Sequence, residues 1–307
     1  MYYYANFIKK IKTFANFTTV YKTINPSEIS AVALQGYLQG AVAPRPIAFA
    51  STIDKNGVVN LSPFSFFNMF STKPPILIFS PARRVRDNTT KHSLENVLEI
   101  DEVVINVVNY ALVQQASLAS TEYEKGVDEF VKAGLTALAS DLVKPPRVAE
   151  SPVSFECKVK QVMPLGTEGG AGNLIFCEIL RIHIQEEILD EKGVINPNKI
   201  DLVARLGGDW YCRASGDALF EVAKPLTSKG IGIDQLPENI RHSNVLTGNN
   251  LAQLANIETL PTSSTWIDVE VSTNYNFPSP THYAKHLLDT QKSILQAWKI
   301  LLTNPVI

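Results

Sequence analysis

The ten residues VSFECKVKQV restrict what this chain can become more than any other stretch of it. Val153, Phe155, Cys157 and Val159 alternate with Ser154, Glu156, Lys158 and Lys160. A period of two places one row against a core and the other toward water, the pattern of a half-buried antiparallel strand; parallel strands are covered on both faces and read as unbroken apolar runs. LRIHIQ repeats the pattern, with Leu180, Ile182 and Ile184 set against Arg181, His183 and Gln185, and GTEGGAGN joins the two strands. Apolar runs of strand length also lie at residues 47–53, 74–80 and 102–108, and the turn signal DKNG returns residues 58–61 as the second arm of a hairpin. Helical spacing is found at residues 27–38 and around Leu94, Val97 and Leu98, the latter with an Asn or Thr cap candidate upstream. Six or more strands with few long helices between them favour an antiparallel barrel over a parallel sheet.

Within that scheme NLSPFSFFNMFS, residues 60–71, stands out. Four phenylalanines and a methionine alternate with hydroxyls and amides, which suggests a strand, but Pro63 cannot donate to a central ladder. The stretch brings more polar groups than a core accepts, so it is a candidate for gripping a ligand.

With 45% hydrophobic and 19% charged residues among 307, the chain can bury one large core or two smaller ones. Its 28 basic and 30 acidic residues leave a formal charge of −2, so no field gathers polyanions and nucleic acid is not an expected partner. An anion must be captured by a local group. PARRVRDNTTKHSLENV offers one: Arg83, Arg84, Arg86 and Lys91 stand among Asn88, Thr89, Thr90 and Ser93 at the mouth of a helix. Helix-start N–H groups, a hydroxyl and a cation together make a phosphate site, although a solvated basic turn has the same spacing. Cys157, Cys177 and Cys212 are far apart and form no CxxC pair, which suits reduced thiols in a cytoplasmic protein and no metal centre. No apolar run reaches the length of ~18 residues that a membrane span requires.

Other motifs carry less. A dinucleotide fingerprint needs a third glycine three residues beyond the second and a following helix; Gly170 and Gly172 are followed there by Ile175 and a strand, so the glycines serve a hairpin end. His282 and His286 lie one helical turn apart without a third ligand, and no GxSxG elbow anchors a hydrolase triad. No conventional acid/base constellation is present, and no catalytic side chain is assigned.

Taken together, GAVAPRPIAFASTIDKNGVVNLSPFSFFN, KHSLENV, VDEFVKAGLTAL, SPVSFECKV and LGGDWYCR resemble the flavin reductase-like family of FMN-binding split barrels over most of residues 40–213. RPIAxxST, NLxPFSFFN and KxSLxN are weak singly and specific jointly. The resemblance implies a mainly β fold with peripheral helices, an antiparallel split β-barrel of the FMN-binding type with a C-terminal helical extension, working as a homodimer with FMN near the subunit boundary. It assigns Ser51, Thr52, Asn60, Ser62, Ser65, Phe66, Phe67 and Asn68 to the flavin ring and ribityl chain, and Lys91 and Ser93, helped by Arg86, to the phosphate. Many relatives have Asp-Thr after the lysine; His92-Ser93 here keeps the hydroxyl and alters the local charge. The expected activity is hydride transfer from NADH or NADPH to flavin, with an oxygenase or other electron-acceptor protein as a partner. The alternative is a non-catalytic FMN electron carrier reduced by a partner protein.

Three regions follow. Residues 1–24 contain four lysines and no acid and read as a tail, with a short basic amphipathic helix also compatible. Residues 25–213 form the FMN-binding split-barrel domain, and residues 214–307, turn-rich and punctuated by proline and glycine, form an extension wrapping the barrel. Its final helix carries Leu287, Leu288, Ile294, Leu295, Trp298, Leu301 and Leu302 on one face, to be covered by the barrel or by a partner subunit.

Overall fold

The computed structural model describes residues 19–222, 224, 229–262, 269–272, 276–291 and 293–303, so most of the basic N-terminal stretch lies outside the described residues. Two compact units are present, one up to Phe220 and one from Glu221 onward.

The first unit is built on strands β1 (Ala48–Ile53), β2 (Val59–Phe64), β3 (Phe67–Thr72), β4 (Pro75–Phe79), β5 (Glu102–Val107), the short pair β6 (Ala137–Leu138) and β7 (Arg147–Val148), and the long β8 (Val153–Pro164) and β9 (Asn173–Ile184). Seven of them form one sheet in the order β2-β1-β5-β8-β9-β4-β3, every neighbouring pair antiparallel. β2 and β3 are therefore the two edges of the sheet, yet only Ser65 and Phe66 separate them in the chain. With consecutive Cα atoms about 3.8 Å apart, the two edges must come within roughly 11 Å of each other at that end. The sheet is thus rolled into a barrel. Among the described residues no ladder joins β2 to β3, which leaves the barrel split along that line. The split also accommodates Pro63, which lies on edge strand β2, where a missing N–H breaks no central ladder.

Helix α1 (Ala31–Ala41) precedes β1 and buries none of its residues, while α2 (His92–Glu99), α3 (Val113–Leu118) and α4 (Glu129–Ala133) pack on the sheet. Ala48, Ala50, Phe79, Ile105, Cys157 and Cys177 share one core with Leu94 and Val97 of α2. On the opposite face, Phe49 and Leu61 pack with Leu112, Ala116 and Phe130, contributed by α3, α4 and their flanks. β1 is buried on both faces for this reason.

Four local expectations are corrected. The first helix begins at Ala31, capped by Ser30, because Pro26–Glu28 closes its own 3-10 turn against Asn25. α2 has Lys91 at its N-cap and no side-chain cap, so neither Asn nor Thr caps it. On β9, Leu180, Ile182 and Ile184 are exposed while His183 is half-buried against Glu156, because the β8–β9 register shifts between Glu156 and Cys157 and the faces exchange. The outer row of β8 is not solvated throughout: Ser154 and Glu156 are buried, and the backbone N–H groups of Asp141 and Leu142 donate to Glu156 at 2.8 and 2.6 Å.

Helix α5 (Pro197–Ile200) and the hairpin β10 (Leu202–Arg205) with β11 (Tyr211–Ala214) complete the first unit. In the second, α6 (Glu238–Arg241), α7 (Gly248–Ala255), α8 (Pro280–His286) and α9 (Ile294–Thr303) enclose a core of their own. Leu287, Leu288, Trp298 and Leu301 are buried there with Leu236, Ile240, Leu251 and Leu254, and the Trp298 indole N–H donates to the Leu254 carbonyl at 3.2 Å. The apolar face expected to lie on the barrel or on a partner is covered inside its own unit. A π-helical segment, Leu287–Gln291, interrupts that face, and Leu295 is exposed. Among the described residues no helix is long and apolar enough to cross a membrane.

Candidate functional site

The hairpin arms β1 and β2 bring Thr52 opposite Asn60, and α2 fastens to both. Ser93 Oγ donates to Asn60 Oδ1 at 2.6 Å, and Asn96 Nδ2 donates to Thr52 Oγ1 at 3.1 Å. Glu129, 4% exposed at the start of α4, accepts from Asn60 Nδ2 at 2.8 Å and from the Leu61 N–H at 3.0 Å. Burial pushes the Glu129 carboxyl above its ordinary pKa against the pull of those donors. Every polar group of this buried knot has a partner, which fixes where α2 begins.

That beginning faces a cleft lined by Asn60, Ser62, Arg84, Lys91, His92, Ser93 and the loop Ala119–Tyr123. The uncapped helix start leaves backbone N–H groups there for an anion. His92 titrates below its ordinary value, first because it is partly buried, with Arg84, Lys125 and Lys91 acting in the same direction and Glu95 against it.

Cations approach the same cleft from the loop after β4. Arg84 is held by Thr89 Oγ1, to which it donates at 2.9 Å, and by the Thr90 carbonyl. Arg86 pairs with Asp87. Both reach Glu122, whose Oε1 accepts from Arg84 Nε at 2.9 Å and lies 3.4 Å from Lys91 Nζ, while Oε2 meets Arg86. The Arg84 hydrogen bond, with Arg86 and Lys91, draws the Glu122 carboxyl below its usual pKa. Two guanidinium groups and an ammonium thus surround one carboxylate, an arrangement able to hold a compact anion.

The glycine run at the β8–β9 turn supports this loop. Arg83 N–H donates to the Ala171 carbonyl at 2.8 Å, Gly170 N–H returns to the Arg83 carbonyl at 2.9 Å, and Asn88 Nδ2 donates to the Thr167 carbonyl at 3.0 Å. A Cβ on Gly169 would stand 3.0 Å from the Arg84 and Val85 carbonyl oxygens, so glycine is what allows the two backbones to meet.

The remaining site residues foreseen in the sequence are spread along the strands. Ser65 and Phe66 form the link between the sheet edges; Ser65 Oγ accepts a long 3.4 Å bond from Arg45, and the Phe66 carbonyl accepts from Ser80 N–H at 2.8 Å. Phe66 is exposed, Phe67 packs partly on the barrel core, and Asn68 is exposed with its side chain accepting from Met69 N–H. Ser51 lies apart from the cleft, fully buried, and its hydroxyl has no hydrogen-bond partner.

Three contributors were not foreseen as site residues. Glu122 and Glu129 belong to elements far along the chain from the cations and amides they meet. Arg45 is buried and donates to the carbonyls of Gln39 at 2.7 Å, Val42 at 2.5 Å and Leu206 at 3.0 Å, fastening α1 and the turn after β10 beside Ser65. Its place before a proline in RPIA was visible; its partners were not.

Residues 41–200 match the model of the flavin reductase like domain. An uncharacterized protein of Aquifex aeolicus is 41% identical over 183 residues, 60% of this chain and 91% of its own length. Component B of nitrilotriacetate monooxygenase from Bacillus cereus superposes with a TM-score of 0.62 at 26% identity, covering 67% of this chain and all (100%) of that one. A split-barrel protein from Shewanella frigidimarina, 23% identical, superposes with a TM-score of 0.55 over 66% of this chain and 100% of its own, a likeness of fold.

Proposed function

The chain belongs to the flavin reductase-like family, and from that premise we propose that it binds FMN and catalyses hydride transfer from NADH or NADPH to the flavin. The observation that carries this reading is the convergence of Arg84, Arg86 and Lys91 on one carboxylate beside an uncapped helix start, in a cleft that Asn60 and Ser62 also line. A phosphate monoester suits that donor set, and Glu122 serves as its stand-in. Lys91, Arg84 and Arg86 hold the phosphate with the α2 backbone. Ser93 contributes by position, since its hydroxyl proton is committed to Asn60.

Asn60 and Ser62 lie toward the ribityl chain, with Thr52 behind them. Ser65, Phe66, Phe67 and Asn68 border the ring, whereas the Ser51 hydroxyl, fully buried apart from the cleft, takes no part in holding it. The flavin supplies the redox chemistry when bound. The protein therefore needs no acid/base pair; it supplies orientation and donors aimed at the ring's polar edge.

Met69 and Phe70 on edge strand β3, and Leu180, Ile182 and Ile184 on β9, are exposed apolar residues that a second copy of the chain would cover, which supports a homodimer. Three unpaired cysteines suit a cytoplasmic setting. The likeness to an oxygenase component supports an oxygenase or other electron-acceptor protein as the partner.

The test is anaerobic addition of NADH and of NADPH to the FMN-loaded protein. Bleaching of the flavin band by either supports the reductase. A flavin that dithionite reduces and neither nicotinamide does makes the protein an electron carrier instead.

A further inference from the structure

Glu122 stands on the loop between α3 and α4, outside the elements that supply the cations, and it uses both carboxylate oxygens on them. Two of the three cations do not depend on it for their placement. Arg84 is also anchored by Thr89 Oγ1 and the Thr90 carbonyl, and Arg86 by Asp87. The Glu122 side chain is 35% exposed, so it can leave the cluster for water without unfolding anything. A carboxylate and a phosphate cannot share the cluster, because that would bring like charges into contact within a set of donors already used.

We propose that Glu122 is an internal competitor for the phosphate of FMN, and that its side chain leaves Arg84, Arg86 and Lys91 when the nucleotide binds. This rests on the flavin reading above and adds to it how tightly the nucleotide is held. The competitor acts on the phosphate end alone. Each pair that FMN makes with the cations replaces one that Glu122 already makes, so much of the phosphate's contribution is cancelled. FMN is consequently exchangeable, a diffusible substrate more than a resident group, and its advantage over riboflavin, which shares the ring and lacks the phosphate, is small.

The experiment titrates FMN and riboflavin separately into wild-type protein and Glu122→Gln, following flavin fluorescence. Three partly exposed pairs, each worth a few-fold at most, set the expected gain for FMN at roughly tenfold. Riboflavin affinity stays unchanged, which also reports that the variant is folded. The FMN gain shrinks as salt is raised, since the competing pairs are partly exposed. FMN binding that is unchanged or weaker in Glu122→Gln, with riboflavin unaltered, overturns the proposal and makes Glu122 an orienting group for the cations. Equal shifts for both flavins overturn it as well, because the phosphate would then not be what Glu122 opposes. If wild type binds neither flavin, the flavin reading itself falls and takes this proposal with it.

Discussion

Gly169→Ala is a small substitution at the contact between the β8–β9 turn and the arginine loop, and its effect can be worked from the geometry. An added Cβ would lie 3.0 Å from the carbonyl oxygens of both Arg84 and Val85 and 3.1 Å from Val85 Cα. Ordinary contact begins near 3.4 Å, so the loop must retreat by at least 0.4 Å, the difference of the two distances. All three atoms are backbone, so no side chain can swing aside. Gly169 is not among the glycines with positive φ, so alanine meets a steric obstacle and no dihedral one. Overpacking of this kind costs about 1–3 kcal/mol of stability. The retreat carries Arg84 away from the cleft, and weakening one partly exposed pair, worth a few-fold at most, weakens FMN by roughly two- to threefold. Gly166→Ala is the control, since its Cβ meets only the Ala171 side chain, at 3.3 Å. Urea unfolding and FMN titration of the two variants decide the matter. Wild-type FMN affinity in a Gly169→Ala protein that has lost stability would refute the claim that the hairpin positions the loop.

Lys91→Ala should weaken FMN by roughly threefold, since its bond to the phosphate replaces one it already makes to Glu122, whereas Lys192→Ala on the exposed turn after β9 should leave titrations unchanged. Glu156→Ala strands the N–H groups of Asp141 and Leu142 and frees His183, and should lower the urea-unfolding free energy by about 3–5 kcal/mol. Burial raises the Glu156 pKa, but the Asp141 N–H, His183 and the Leu142 N–H together bring it below the ordinary 4.5. A carboxylate depressed in the folded state contributes stability that is full above pH 4.5 and lost as pH falls through the lowered value. Wild type should therefore lose stability across that acid range more steeply than Glu156→Ala, as parallel unfolding curves would show.

Much of the barrel was legible because its signals are local. Alternation along β8, the Asn-Gly turn after β1 and the strand that follows each need only a few neighbouring residues. The glycine run was correctly separated from a dinucleotide cradle, but its use as a prop for the arginine loop depends on a contact between segments some eighty residues apart. Glu122 and Glu129 escaped for the same reason. Charge alone does not say which of 30 acids meets which cation. The reversal of faces on β9 follows from a bulge, and a one-residue shift leaves no trace in composition. The terminal helix showed its apolar face plainly. What covers that face is a tertiary fact, supplied by Leu236, Ile240, Leu251 and Leu254 of the same unit.

On the proposed reading, the arginine loop, the start of α2 and the link between the sheet edges form one flavin site. Crystals of the protein grown with FMN test it most directly, through the electron density of the nucleotide. The phosphate is expected among Arg84, Arg86, Lys91 and the first N–H groups of α2, the Glu122 side chain turned away, and the ring against Ser65, Phe66, Phe67 and Asn68. A phosphate bound elsewhere, with Glu122 still on its three cations, would contradict it.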